Sequence, residues 1–192
     1  MIDPFSKEIG LRSPKIKDDL VLITHDHYDH SNTDNMEGEV FLVNTPGEYE
    51  RKGIHVRGIL SYHDNQEGVE RGLNTIFVIK TEEMNVCHLG DLGQDKLNEK
   101  QLDEIGDVDI LMIPVGGRYT IDGKTATEII SQIEPKVIIP MHYKINDLKI
   151  DLDGPEKFVK ELGLTPEKVE DKYRIQKKNL PAEELKLVMF SA

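Results

Sequence analysis

The segment His25-Asp26-His27-Tyr28-Asp29-His30 sets three of the chain's 7 histidines beside two aspartates. Imidazole and carboxylate together are the donor set that suits zinc and similar first-row ions. His25 and His27 stand two apart and share a side if the chain is extended there. Asp29 and His30 are adjacent, so a turn is needed to aim both at one point. A polar loop with coincidental histidines is the alternative. It is disfavoured because packed His/Asp clusters seldom have another use.

Four local donors are too few for two ions, so distant partners are required. His63 in Ser61-Tyr62-His63-Asp64, Asp91 in His88-Leu89-Gly90-Asp91 and His142 in Pro140-Met141-His142-Tyr143 each follow an apolar run. Open α/β sheets commonly build their sites at such strand ends. Taken singly each is weak, since a lone histidine at a strand end is usually a structural residue.

The elements that must position these residues read as mixed α/β. Strands are expected over Leu20–Thr24, Val40–Val43, Ile54–Leu60 and Asn74–Lys80, with a turn at Thr81–Asn85 leading into Val86–Leu89 as a hairpin. The second half adds a helix over Leu97–Ile105, stopped at Gly106, and strands Asp109–Pro114 and Val137–Pro140. Between those strands, Thr125-Ala126-Thr127-Glu128 matches a capping box opening a helix to about Ile133. A third helix over Glu156–Leu162 and a strand over Leu185–Phe190 complete the reading. Strands followed by strand–helix–strand units suggest sheets covered by helices.

The 192 residues, 38% hydrophobic and 31% charged, fit one domain spanning 1–192. The net charge of −12 disfavours nucleic acid and anionic membrane as partners. Bound cations would invert the local field, so an anionic small-molecule substrate remains compatible. A single cysteine excludes an intramolecular disulfide. No signal peptide or membrane-length apolar run is visible, and the expected compartment is the cytoplasm. Oligomeric state is not legible.

Together the motif His25, His27, Asp29, His30 and the later His63, Asp91 and His142 resemble the metallo-β-lactamase superfamily. The phrases Thr45-Pro46-Gly47-Glu48-Tyr49-Glu50, His88-Leu89-Gly90-Asp91-Leu92-Gly93, Pro114-Val115-Gly116-Gly117 and Pro140-Met141-His142-Tyr143 narrow the likeness. They are similar to prokaryotic Zn-dependent hydrolases of the β-lactamase fold, related to ascorbate-phosphate lactonase and N-acylphosphatidylethanolamine phospholipase D. The likeness runs from about Asp3 to Tyr143. It implies a four-layer αβ/βα sandwich with the site at one edge between two sheets. Members carry a β-hairpin and a Gly-His segment before the phrase found here as Asp3-Pro4-Phe5, so a sandwich without that hairpin is expected.

The resemblance also assigns roles. His25, His27 and His63 would hold one divalent ion, and Asp29, His30 and His142 the other, with Asp91 bridging. Zinc is the first expectation, with manganese or iron as alternatives. Asp91 stands where zinc β-lactamases of the best-known subclass carry a cysteine, which argues against antibiotic hydrolysis. The length leaves no room for the domains with which nuclease relatives grip RNA.

Two ions about 3.5–4 Å apart can share a water and lower its pKa, activating it against a carbonyl or phosphoryl centre. Asp29 is then the residue to orient that water and take its proton. His142 or Tyr143 would stabilise the intermediate or leaving group. His88 is read either as a partner holding a ligand or as a packed strand histidine. Gly116 and Gly117 either let backbone approach substrate or simply turn. Arg118 and Tyr119 are candidate anion contacts, and Cys87 is discounted as a nucleophile because its neighbour His88 points to the opposite face. The expected function is a metal-dependent hydrolase of esters, lactones or phosphodiesters. The alternatives are an iron-dependent oxidoreductase on the same scaffold and a non-catalytic metal-binding protein.

Overall fold

Alternation of inward and outward side chains organises the molecule, whose computed structural model describes residues 1–191. Four antiparallel strands, β3 (Gly47–Arg51), β4 (Ile54–Tyr62), β5 (Leu73–Thr81) and β6 (Met84–His88), follow a smaller pair, β1 (Leu20–Leu22) and β2 (Phe41–Val43). The chain then adds α1 (Glu99–Ile105), β7 (Ile110–Pro114), α2 (Gly123–Ile133), β8 (Val137–Met141), α3 (Glu156–Leu162), β9 (Glu167–Val169) and β10 (Lys186–Phe190). The large sheet has the order β3-β4-β5-β6-β7-β8-β10-β9, and β1-β2 form a second, parallel sheet.

Strands β6, β7 and β8 run parallel, as the intervening helices require, whereas β4 and β6 each run antiparallel to β5. The carboxyl ends of β4, β6, β7 and β8 therefore lie along one edge of the sheet. The β5–β6 hairpin closes with the two residues Glu82 and Glu83, both at positive φ (48° and 63°), the geometry that matches strand twist.

One face of the large sheet presents Ile59, Ile76, Leu111, Ile113, Ile138 and Leu187 to the three helices. Helix α2 answers with Ala126, Ile129, Ile130 and Ile133, a spacing that keeps them on one side. On the opposite face, Leu22 and Val43 of the small sheet pack on Val56 and Phe77. The parallel half of that face is covered by Val169, Tyr173, Ile175 and Leu180. Helices, large sheet and small sheet give three of the four expected layers. The outer side of the small sheet is sealed by Ile16, Met36 and Val40, from chain that is not α-helical among the described residues. No helix among the described residues is long and apolar enough to cross a membrane.

The expected strands and helices recur with ends moved by a few residues. Helix α2 starts earlier than its expected cap: Asp122 accepts from the Thr125 N–H, so Thr125 lies inside the helix and does not open it. Strands β3 and β9, unforeseen in sequence, are polar edge or near-edge strands without a regular apolar alternation.

Candidate metal centre

Beyond β1 the chain leaves the sheet, and Thr24 stays anchored because its carbonyl accepts the Thr75 N–H of β5 (2.8 Å). His25 follows, buried. The His30 and Ser31 N–H groups then both donate to the His27 carbonyl (2.9 and 3.0 Å), so the chain turns at this point. The histidine rings draw together, with centroids 4.7 Å apart for His25–His27, 4.4 Å for His25–His30 and 4.8 Å for His25–His63.

His63 and Asp91 leave the carboxyl ends of β4 and β6, and His142 that of β8. The backbone of His142 takes a left-handed turn (φ 51°). Two glycines make room for these exits. A Cβ on Gly93 would lie 2.2 Å from the His63 carbonyl oxygen, and one on Gly116 only 2.1 Å from that of His142. No side chain fits at either position without backbone movement.

The centre of the arrangement is Asp91 Oδ2. It lies 3.2 Å from His142 Nε2, 3.4 Å from His63 Nε2, 3.5 Å from His30 Nε2 and 3.8 Å from His25 Nε2. The Asp91 N–H donates to Asn74 Oδ1 (3.0 Å), while Asn74 Nδ2 donates to Ser61 and to the Leu89 carbonyl. Burial would raise the Asp91 carboxyl, but His142 and His30 around it hold it well below the usual range. For His25, burial dominates and drives the imidazole down to about 3. For His30, burial opposes protonation, yet Asp91 and Asp3 carry it up to about 9.

Asp3, which spacing alone did not flag, sets the nitrogen roles. Its Oδ1 accepts from the Thr24 N–H (2.8 Å), and its Oδ2 from the Thr24 hydroxyl (2.7 Å) and from His30 Nδ1 (3.1 Å). A hydroxyl that gives its proton to a carboxylate can only accept from His25 Nδ1, 2.9 Å away. Both His25 and His30 thus spend Nδ1–H on this support and turn Nε2 to the centre. His25 Nε2 is buried there without a hydrogen-bond partner, as are His63 Nδ1 and His142 Nδ1.

The donor set fits divalent cations. His25, His27 and His63 bring ligand atoms within 4.8 Å of one another, and so do His30, Asp91 and His142. A third grouping, Asp3, His25 and His30, uses a carboxylate already committed to hydrogen bonds. Asp29 belongs to none of these clusters. Its Oδ2 lies 3.7 Å from His30 Nε2, and it lines a cavity of about 380 Å³ with His27, Tyr28, His63, Arg71, Asp91, Tyr119 and His142.

Several expected contributors stand elsewhere. Tyr143 packs against the main core and does not line this cavity. Arg118 pairs with Asp151 and Asp153 (3.0 and 3.4 Å), so of the Arg118–Tyr119 pair only the tyrosine reaches the cavity. His88 is buried and accepts the Gly90 N–H on Nδ1 (3.1 Å), which steadies the turn carrying Asp91. Gly116 meets the His142 backbone, and Cys87 is buried, with burial pushing its thiol far up.

Comparison with known proteins adds to this geometry. A family described as a β-lactamase superfamily domain matches residues 1–142. A UPF0173 metal-dependent hydrolase from Methanopyrus kandleri is 30% identical, over 88% of this chain and 87% of its own length. A crystal structure of a metallo-β-lactamase superfamily protein from Thermotoga maritima is 35% identical with a TM-score of 0.79, covering 98% of this chain and 87% of that one. A Parabacteroides distasonis structure, 19% identical with a TM-score of 0.62 over 84% of this chain and 78% of that one, shares the fold.

Proposed function

Because the chain belongs to the metallo-β-lactamase superfamily, we propose that it is a metal-dependent hydrolase. In this reading it uses two divalent ions to cleave an ester, lactone or phosphodiester bond of a small molecule. One observation carries the reading: four imidazole Nε2 atoms surround a single buried carboxylate oxygen, Asp91 Oδ2, at 3.2–3.8 Å. His25, His27 and His63 would hold one ion, and Asp29, His30 and His142 the second, with Asp91 between them. Zinc is the proposed metal. The names of the relatives support the hydrolase class, and their metals and substrates are their own.

When bound, the ion pair supplies the Lewis acidity that brings the pKa of a water towards neutrality. The chain's own residues do the rest. Asp3, directly for His30 and through the Thr24 hydroxyl for His25, engages both Nδ1 atoms and turns both Nε2 atoms inward, with His30 giving up its second proton when an ion binds. Asp29, at the cavity wall, orients the attacking water, takes its proton on a carboxylate oxygen and passes it to the leaving group. His142 has Nδ1 buried and only Nε2 towards the cavity. It therefore acts as a holder of the ion, and Tyr143 takes no part.

The test is metal content by elemental mass spectrometry of protein purified without chelator, with hydrolysis of ester, lactone and phosphodiester panels. About two zinc ions per chain, lost together with turnover in His27→Ala, is the expected result. Iron in their place would favour the oxidoreductase alternative. Tight metal with no turnover on any panel would make this a binding protein and overturn the hydrolase reading.

A further inference from the structure

Of the residues that line the cavity, Arg71 alone carries a permanent positive charge, and the hydrolytic reading leaves it without work. Its backbone is fixed. Asp64 Oδ1 accepts the N–H of Gln66 (2.8 Å) and Gly68 (2.9 Å), while Oδ2 accepts those of Glu70 (2.9 Å) and Arg71 (2.7 Å). The Gly72 carbonyl then accepts the His63 N–H (3.1 Å), which ties the end of the loop to its start. Arg71 is thereby held on a closed loop that begins at a residue of the candidate metal centre.

Its guanidinium makes no hydrogen bond among the described residues, and its one ion pair is loose. The nearest carboxylate, Glu70 Oε2, is 3.7 Å from Nη1, too long for a hydrogen bond, and both side chains are solvent-exposed by a third or more (36% and 51%). Arg57 and Arg118 differ: the first pairs with Glu48 and the Glu104 carbonyl, the second with Asp151 and Asp153. Tyr28 and Tyr119, 61% and 43% exposed, add flat walls to the same cavity. An anion nearing a chain of net charge −12 meets long-range repulsion, which a guanidinium on the cavity wall offsets locally, in addition to the charge of any bound ions.

We propose that Arg71 is the specificity-determining residue of this site, pairing with a carboxylate or phosphate group that the substrate carries apart from the bond cleaved. The substrate class is then a small anionic ester, lactone or phosphodiester. A guanidinium fork binds either oxyanion through two parallel hydrogen bonds. This inference rests on the hydrolase reading for its turnover arm and is independent of it for its binding arm.

The test uses zinc-loaded full-length protein and three acetyl esters with the same scissile bond: 4-acetoxybenzoate, 4-acetoxyphenyl phosphate and neutral methyl 4-acetoxybenzoate. The wild type is expected to favour one or both anionic esters, and which one identifies the group. Arg71→Met should lose about ten- to a hundredfold in kcat/KM on the preferred ester, mainly through KM, with the neutral ester within about twofold. Arg71→Lys should restore part of the loss, and metal content should be unchanged in both variants. Equal losses on charged and neutral esters, or none, would overturn the proposal. Calorimetric titration with benzoate, phenyl phosphate and benzamide separates the two readings. No turnover together with Arg71-dependent anion binding removes the hydrolase reading and keeps the anion subsite. Anion binding unchanged by Arg71→Met removes the subsite, whatever the turnover.

Discussion

Two aspartates, Asp91 and Asp109, are equally buried (each 4% exposed), yet their surroundings have opposite characters. Asp109 stands at the amino end of β7 and is paired with fixed cations. Lys136 Nζ lies 2.7 Å from Oδ1, Lys177 Nζ 2.8 Å from Oδ2, and the Asn85 N–H donates at 3.0 Å. Asp91, beyond the carboxyl end of β6, has no lysine or arginine partner among the described residues; four imidazoles face it. The lysines bring their own charge and complete a knot between the β7–β8 region and the chain near 177. The imidazoles crowd one oxygen with titratable nitrogens, and among them His25 Nε2 is left buried without a partner. A buried carboxylate ringed by titratable donors marks chemistry, whereas one ringed by permanent cations marks architecture.

The sharpest way to break this contrast is to neutralise each carboxylate. Asp91→Asn should lose bound metal and reduce hydrolysis by more than about a thousandfold, while the metal-free protein still unfolds cooperatively. Asp109→Asn should keep its metal and its turnover. Elemental analysis and rates on the same two preparations check both halves. Full activity in Asp91→Asn would remove the functional side of the contrast, and metal loss in Asp109→Asn would remove the structural side.

A smaller effect is expected at Asp3, which touches the site only through Thr24 and His30. Asp3→Asn keeps the shape but can accept on one side-chain atom only, so the inward lone pairs of His25 and His30 are no longer both enforced. Metal affinity should weaken about ten- to a hundredfold, with much of the rate recovered at high zinc. A chelator-competition titration against wild type measures it. An unchanged affinity would show that the tautomers are set by the metal itself.

Much of this site is legible in sequence because the residues that face the cavity are of diagnostic types and sit at the ends of apolar runs. His27, Asp29, His63, Asp91 and His142 line it, and His25 and His30 stand beside it with Nε2 3.8 and 3.5 Å from Asp91 Oδ2. The supports were not legible. Asp3 reaches Thr24 across 21 positions and Asn74 reaches Asp91 across 17, and neither spacing leaves a periodic trace. Arg71 was hidden for the same reason, since its loop is organised by the carboxylate of Asp64. Strands β3 and β9 were missed because polar strands at or near a sheet edge show no regular apolar alternation. Tyr143, offered by the sequence beside His142 as a stabiliser of the intermediate or leaving group, is not in the cavity lining. The left-handed backbone of His142 redirects the chain, and the next side chain packs on the main core.

The structural side of the contrast has its own pH signature. Burial would raise the Asp109 carboxyl, but Lys136 and Lys177 hold it below its ordinary value of 3.8. A carboxyl whose folded pKa is depressed contributes stability that is present in full above the unfolded value and fades as pH falls through the folded one. Both lysines are more than two-fifths exposed, so solvent screens the pairs, and about 1–2 kcal/mol is the expected contribution. Chemical denaturation of metal-free wild type and Asp109→Asn should show that gap from pH 5 to 7 and its progressive closure as pH falls below about 4. A gap that persists undiminished at low pH would mean that Asp109 acts through packing and not through its charge.

The smallest expected effect is the one that separates adjacent residues. Tyr143→Phe removes only a hydroxyl, from a side chain half-buried against the main core and absent from the cavity lining. If His142 serves the site and Tyr143 serves the core, kcat and KM should stay within about twofold of wild type, as for a substitution that leaves the reacting groups untouched. Steady-state rates at saturating zinc decide it. A fall in kcat of tenfold or more at unchanged metal content would put the phenol in contact with the reacting atoms, through a movement of the 142–143 turn on substrate binding. The strained backbone at His142 would then be part of the catalytic cycle rather than a fixed consequence of leaving the sheet.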